Sequence, residues 1–277
     1  PPRSTLFPYT TLFRSEADGS SAGGSPGVGV AVAINVADLE TRATLGGNEV
    51  INAGGGVTLA ANANTGAKFG ARSISGASSS GVGVAGSLAI NVGLNSTEAL
   101  IENGSVVTVN GGALAMNALS VSHHVARALP NVDGGTGASV GVGASIAINV
   151  AEDVTRSVVD GNAALTTMSL AQTANSSADI DTEAQGGAEG GTAVTPVVAT
   201  TIANDLTRVG FEAGSITTVF AGVSATAVHA GDALTHAEGD AEGASDAAVG
   251  ASLAISTVEP LVEALVGGNL TTGGAAF

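Results

Sequence analysis

The sequence has no cysteine or tryptophan, and it has few aromatic and few basic residues. Of its 277 residues, 3% are aromatic, and 8 are Lys or Arg against 24 Asp or Glu, which gives a net charge of −16. Without cysteine, a disulfide-stabilised fold is excluded. With one lysine, a nucleic-acid-binding function is not expected, because phosphate contacts need Lys and Arg. A core of bulky side chains is also not expected, because aromatic and long aliphatic residues supply most of the area buried in such cores.

Apolar runs of transmembrane-helix length are also missing, so we expect no transmembrane segment. What remains is a chain that is 44% hydrophobic and has 41 glycines. Its apolar content depends on Ala and Val. This composition favours a repetitive β protein over a compact globular domain.

Residues 1–15 differ in composition from the rest of the chain. They contain the single tyrosine, Tyr9, and three of the seven prolines. The stretch LFPYTTLFRS at 6–15 resembles an in-frame translation of a sequencing adapter. We therefore predict that residues 1–15 are an artefactual leader outside the fold and that the repeat region covers 16–277. The alternative is a native export or anchoring segment.

The repeat region contains one sequence pattern five times. The copies start near residues 27, 81, 140, 194 and 249, and the clearest are GVGVAVAINV, GVGVAGSLAINV and VGVGASIAINV. One charged position recurs in every copy and serves as a register mark: Arg42, Glu98, Arg156, Arg208 and Glu263, with spacings of 56, 58, 52 and 55 residues. A repeat of about 55 residues is typical of a solenoid or a repeat array.

Within each copy, large and small residues alternate strictly. In the first copy, Val28 to Val36 supply the large residues, and Gly27, Ala31 and Asn35 are among the small residues between them. A period of two with many β-branched residues predicts strands with one bulky face and one very small face. The fold class predicted is therefore all-β, an elongated parallel β-helix or β-solenoid of about five 55-residue repeats.

Turns are predicted at two places in each copy. Gly and Asn, which tolerate positive φ, mark one of them, at Gly46–Asn48, Asn103–Gly104, Gly161–Asn162 and Gly267–Asn269. Acidic or polar residues mark the other, at Asp38–Glu40, Gly93–Ser96, Glu152–Asp153 and Asn204–Asp205. The polar stretches 171–192 and 229–247 are predicted to be outward-facing strand plus surface loop, and their order is left open.

A single copy has too few Val, Ile and Leu side chains to offset the entropy of ordering about 55 residues, at roughly 1–2 kcal/mol each. Stacked copies share ladder hydrogen bonds and, on this expectation, a core of Val and Ile. With an assumed coil of about 20–25 residues, the region would form about eleven to thirteen coils, a rod of some 50–60 Å. The small face could lie against another backbone or form a flat outer surface.

No residue is predicted to be catalytic, to bind a cofactor or to ligate a metal. Asn35, Asn91 and Asn149 share one repeat position with Thr201 and Ser256, and we expect a structural amide ladder there rather than a binding row. The adjacent His123 and His124 should point to opposite faces of a strand. The best metal-like grouping, which is His229, His236, Asp232 and Glu238, is expected to be solvated surface.

Acidic residues could carry calcium or carbohydrate chemistry. The run Glu238, Asp240, Glu242 and Asp246 leaves calcium open, although the stacked-calcium nonapeptide is absent. The carboxylates Asp179, Asp181 and Glu183 have no apolar packing that would raise a pKa. No Ser-His-Asp or Cys arrangement is present, so we do not expect an enzyme.

The phrases GVGVAVAINV, GVGVAGSLAINV and GVGASIAINV, each followed by a strand and a Gly/Asn turn, resemble the repeats of bacterial surface proteins. The family is the leukotoxin-type filamentous adhesins, with filamentous-haemagglutinin-like proteins and autotransporter passengers as wider relatives. The resemblance implies a β-solenoid stalk that is exported across the outer membrane and acts in adhesion, aggregation or biofilm. It also suggests that the chain is a fragment of a longer protein.

The function expected is therefore that of a structural and adhesive segment of an extracellular or cell-surface bacterial protein. Its partners would be a host-cell or extracellular surface ligand such as a glycan, or another copy of itself, and not nucleic acid. The two alternatives are a carbohydrate-active β-helix enzyme and a calcium-dependent repeat module. An acidic cluster beside an Arg in one groove would favour the first.

Overall fold

The computed structural model describes residues 12–243 and 245–273, with the side chains of 64, 65 and 132–134 left out. This part of the chain forms strands and turns, and it contains no helix that could span a membrane. The strands are β1 (Leu12–Ala22), β2 (Gly27–Leu45), β3 (Val50–Ala53), β4 (Val57–Ser79), β5 (Val82–Ile101), β6 (Val106–Gly137), β7 (Val140–Val159), β8 (Ala164–Glu189), β9 (Thr192–Phe211), β10 (Ile216–Glu242), β11 (Ala247–Val266) and β12 (Asn269–Thr272).

The strands form two sheets, in which every pair of neighbours is parallel. Sheet A has the order β1-β4-β6-β8-β10-β12, with β3 also paired to β6, and sheet B has the order β2-β5-β7-β9-β11. The chain passes from one sheet to the other after each long strand, so each repeat supplies one long strand to sheet B and one to sheet A. We call this contribution of one repeat a rung. The all-β, parallel part of the predicted fold class is confirmed.

Strand neighbours in sheet B are one whole repeat apart. Arg42 pairs with Glu98, Glu98 with Arg156, Arg156 with Arg208, and Arg208 with Glu263. The predicted register marks are therefore confirmed, whereas the assumed coil of 20–25 residues is wrong. Five strands at about 4.8 Å make a stack of about 19 Å, and a 20-residue strand spans up to about 66 Å. The described residues thus extend further along the strands than along the stack.

Variation in repeat length is absorbed in sheet A. Pairing in sheet B keeps a constant offset between each two neighbours over the whole strand. In sheet A the register shifts at bulges, for example between Val109 and Ala113 and between Ala128 and Gly135. Because a bulge adds residues to one strand without ending the ladder, sheet B stays regular while the spacing varies.

The tight turns after β2, β5, β7 and β9 use a left-handed residue at the same repeat position. This residue is Asn48 (φ 59°), Gly104 (φ 77°), Asn162 (φ 57°) or Gly214 (φ 90°). Only Gly and Asn adopt this conformation at little cost. The predicted Gly/Asn turns are confirmed at Gly46–Asn48, Asn103–Gly104 and Gly161–Asn162, whereas at Gly267–Asn269 no residue is left-handed and Asn269 begins β12.

The prediction of acidic turns inside each copy is wrong. The residues concerned, such as Asp38–Glu40 and Glu152–Asp153, lie inside the continuous strands β2 and β7. Of the stretches 171–192 and 229–247, which were predicted to be outward-facing strand plus surface loop, residues 171–189 and 229–242 are strand. In each case side chains continue to alternate between outward and inward, and an inward polar residue such as Asp153 finds a partner between the sheets, so the backbone has no reason to leave the sheet.

The small face of sheet B points inward, and its bulky face points outward. Ala31 and Ala33 are 3% and 2% exposed, whereas Val32 and Ile34 between them are 50% and 54% exposed. The expectation of a shared Val and Ile core is therefore wrong for this part of each strand. Alanines from both sheets make the contact instead, among them Ala71, Ala89, Ala126, Ala147 and Ala199.

The largest cluster of bulky side chains fills the interior near the Gly/Asn turns. There a cluster that includes Ile101, Leu114, Met116 and Phe211 is almost completely buried. At the opposite end of the rung, glycines let the two sheets touch. A Cβ added at Gly83 would overlap the carbonyl oxygen of Thr136 in the facing strand. The space between the sheets therefore narrows from the end of the rung at the Gly/Asn turns, where bulky side chains fill it, to the opposite end, where glycines line it.

The predicted leader lies partly inside the described residues. Residues 12–15 begin β1, which pairs with β4 from Leu12 opposite Lys68 to Ala22 opposite Ser78. Residues 1–11 lie outside the described part of the chain. The adapter origin of residues 1–15 stays a prediction.

The glycine contact gives a first prediction. Gly83→Ala should lower the free energy of unfolding by about 1–3 kcal/mol or more, because the new methyl group meets backbone that has no room to yield. Gly86→Ala, three residues along β5 and outward with open space around its Cβ position, should be neutral or raise it by up to about 1 kcal/mol. Urea denaturation of both variants measures this, and equal effects would contradict the close sheet contact.

Candidate interaction surfaces

The outward side of sheet B carries a broad apolar surface, which we call the apolar face. It consists of four columns, each a row of side chains that crosses all five strands. In the central strand β7 the columns are represented by Val142, Ile146, Ile148 and Val150. Eighteen of the twenty column positions hold Val, Ile or Leu.

The apolar face is large for a surface that the described residues leave open. Its columns extend about 26 Å along the strands and, when the full width of all five strands is counted, about 24 Å across them, or roughly 600 Å². Its side chains are well exposed in the edge strands, as at Val36 (70%), and mostly half-buried in the central strands, where Ile146 is 41% exposed. The largest apolar patch on a typical monomer is about 300–600 Å², and patches of this size usually mark interaction sites.

Charged residues border the apolar face on one side. The register-mark position forms a ladder in which Glu98, 2% exposed, accepts hydrogen bonds from Arg42 Nε (2.9 Å) and Arg156 Nε (2.7 Å). Arg208 pairs in the same way with Glu263. Between this ladder and the apolar face lies an outward acidic column that contains Asp38, Glu152 and Glu259.

Inside the fold, the asparagine row forms the predicted amide ladder. Asn35 Nδ2 donates to Asn91 Oδ1, and Asn91 Nδ2 donates to Asn149 Oδ1, both at 2.8 Å. Asn149 then donates to the main-chain oxygen of His124 at 3.0 Å. All three amides are buried. The row is therefore closed to ligands and links neighbouring rungs.

The outward side of sheet A, which we call the charged face, brings opposite charges together. His123 Nδ1 lies 3.1 Å from Asp179 Oδ2. Arg127 pairs with Asp181 and, through Nε, lies 3.4 Å from Glu183 Oε2. The hydrogen bond to Asp181 raises the pKa of Arg127, so this guanidinium stays a cation.

Two grooves lie on the charged face. One, of about 370 Å³, is lined by Arg14, Lys68, Arg72 and Arg127 among others, and is basic. The other, of about 360 Å³, is lined by Glu189, Glu238, Asp240 and Glu242 and is acidic. Basic residues thus come from the earlier rungs and acidic residues from the later ones, so the face is polarised along the stack.

The histidines are not brought together. His123 is partly exposed on the charged face, whereas His124 is fully buried, so the prediction of opposite faces is confirmed. His229 turns inward and bonds Ser176 Oγ at 2.7 Å, while His236 lies on the outward side of the same strand. Across the described residues, no group of three or more acidic or histidine side chains is arranged to hold a metal ion.

A buried polar cluster lies between the sheets. His124 Nε2 is 2.9 Å from Asp153 Oδ2, and Asn95 Nδ2 donates to Asp153 Oδ1 at 2.9 Å. The ring of Phe69 stacks on His124 with centroids 4.8 Å apart. Burial, together with the nearby charge of Asp153, raises the pKa of Asp205 to about 6. The cluster is buried and therefore closed to a substrate.

Sequence reasoning missed the buried cluster and the pairing of Arg127 with Asp181 and Glu183. The pairing of Arg127 could have been predicted, because Arg127 and Glu183 are 56 residues apart, which is one repeat. Applying the repeat offset to the polar stretches would have placed them side by side. The buried cluster depends on contacts between the two sheets, and the repeat period gives no information about those contacts.

Comparison with protein-family models, curated sequences and solved structures gives no match for this chain. The function therefore has to be argued from the surfaces and the buried groups alone.

Asp205 predicts a specific dependence of stability on pH. Its pKa in the folded state is above the ordinary value of 3.8, so the folded state prefers the protonated form. The stabilisation that Asp205 contributes is fully present below about pH 4. It is lost as the pH rises to about 6, which lowers the free energy of unfolding by up to about 3 kcal/mol. Asp205→Asn should therefore raise the free energy of unfolding at pH 8 and change it little at pH 4.

The matched control is Glu152→Gln, which also removes one negative charge but from an exposed side chain beside the cluster. Urea denaturation between pH 4 and pH 8 compares the two variants with the native chain. If Asp205→Asn and Glu152→Gln had the same pH profile, the buried position of Asp205 would be contradicted.

Proposed function

We propose that this chain is a β-solenoid segment of a bacterial surface protein, with a structural and adhesive function. The observation that supports this most is the register: five repeats align residue by residue in sheet B, and the four apolar columns carry Val, Ile or Leu at eighteen of twenty positions. A surface built in this way presents the same chemistry repeatedly, as an adhesive stalk requires. Repeated weak contacts give high avidity without a strong single site.

The buried groups support a structural role. The amide ladder, the His124–Asp153 pair and the Glu98 carboxylate each connect neighbouring rungs or the two sheets. Because buried polar groups are costly unless they are bonded, such ladders favour one register over shifted ones. A segment that keeps one register over many rungs can transmit force and hold binding surfaces at fixed spacing.

A second candidate, a carbohydrate-active β-helix enzyme, has one observation in its favour. Arg127 lies on an exposed strand face beside Asp181 and Glu183, which is the acid-plus-arginine arrangement expected for such an enzyme. The raised pKa of Arg127 argues against its use as a base. It could still neutralise a sugar carboxylate, so the arrangement is worth testing for turnover.

Adhesion tests the main proposal. Beads coated with the chain should attach to cultured cells or to immobilised glycans in a saturable way, and attachment should fall steeply when the coating density is lowered, because avidity depends on copy number. The matched control carries Gly83→Val and Gly143→Val, which keep the charge and composition but disrupt the stack. Equal attachment of native and control beads would contradict the proposal.

Turnover and calcium dependence test the alternatives on the same sample. Release of reducing ends from a panel of acidic and neutral polysaccharides, abolished by Arg127→Ala, would establish the enzyme and overturn the structural proposal. A melting temperature that rises with calcium but not with magnesium would establish the calcium module. The structural proposal expects no turnover and no selective response to calcium.

A further inference from the structure

We propose that the apolar face is a self-association surface, on which a second copy of this chain packs face to face. This inference goes beyond the adhesive function and does not depend on it, because it rests on the outward side chains of sheet B alone. Face-to-face packing of two sheets in this way would form a sandwich with a core of Val, Ile and Leu.

The size of the face fits a dimer. Two faces of roughly 600 Å² bury about 1,200 Å² together, which is at the lower end of the range for specific protein interfaces. The face is also regular, since its columns cross all five strands at equal spacing. A flat and regular surface can contact a copy of itself over its whole area, whereas a partner of unrelated shape would contact only part of it.

The relief of the face is also self-complementary. Between the column of Val142 and the column of Ile146 lies a position occupied by Gly86 and Ala144 in adjacent strands, and the space above Gly86 is open. In β5 and β7 this position is a shallow recess beside branched side chains, whereas β2 and β9 fill it with Val30 and Pro196. When the strands of the second copy run in the opposite direction, about an axis through Ile146, its Ile90 and Ile148 side chains can lie in this recess.

Charge selects the same orientation. If the strands of the two copies ran in the same direction, the twofold axis would lie along the strands. The acidic columns of the two copies would then face each other, with Asp38 of one copy opposite Glu259 of the other and Glu152 opposite Glu152. Like charges in contact oppose association. With the axis perpendicular to the strands and through Ile146, Glu152 lies instead opposite the uncharged start of β7 at Val140.

The oligomeric state tests the proposal. Sedimentation analysis of the full chain at micromolar concentrations should show a dimer, and Ile146→Lys at the centre of the face should weaken it by at least about a hundredfold, since a buried unpaired charge is costly. Val32→Lys at the edge of the face serves as a second variant in case Ile146→Lys does not fold. The matched control is Leu234→Lys, which is 61% exposed on the charged face and should leave the dimer intact.

Salt and orientation sharpen the test. Because the acidic column lies near the interface in both copies, salt should strengthen the dimer. A spin label at Glu152→Cys should give an intermolecular distance of about 40 Å, since the two labels lie about twelve residues apart along the strands. A distance of about 10–15 Å would overturn the orientation.

Three outcomes would overturn the proposal as a whole. They are a native chain that stays monomeric at the highest soluble concentration, a dimer that survives Ile146→Lys and Val32→Lys when circular dichroism shows both variants to be folded, and a monomer that binds neutral phosphatidylcholine vesicles through this face. The last would make the occupant a lipid surface rather than a second copy.

Discussion

Close contact between two sheets that face each other with glycine and alanine is the constraint on which this fold depends. Alanines such as Ala89, Ala126 and Ala147 are completely buried between the sheets, and at Gly83 the facing backbone leaves no room for a side chain. Small residues bury little apolar area each. Stability must therefore come from many shared ladder bonds and from the bulky cluster near the Gly/Asn turns.

The composition follows from this contact. Because the interior behind the apolar face has room only for small groups, the β-branched residues of these strand segments have to lie outside, where they form the apolar face. The polar side chains that enter this part of the interior at the asparagine position form a ladder. Asn91 bonds a neighbour on each side, so its amide is satisfied without water or a bulky partner.

The sequence predicted the repeat and its register well, and the faces poorly. Arg42, Glu98 and Arg156 marked equivalent positions because the ladder repeats the same local environment. Alternation distinguishes two faces of a strand but not which one is inward, since that depends on what covers the strand. For the same reason, the His124–Asp153 pair could not be predicted: its partners come from different sheets, and the position of His124 holds Phe69 and Ile180 in the neighbouring copies.

The most direct test of the account is the distance between Val28 and Val249, which occupy the same column in the first and last strands of sheet B. Both are exposed, and the chain has no native cysteine to interfere with spin labels placed there. When labelled chains are diluted in unlabelled chains, the distance measured is the one within a single chain. A fold with one rung per repeat predicts about 19 Å between the two backbone positions. A separation of about 45–50 Å, as coils of 20–25 residues would give, would contradict the account.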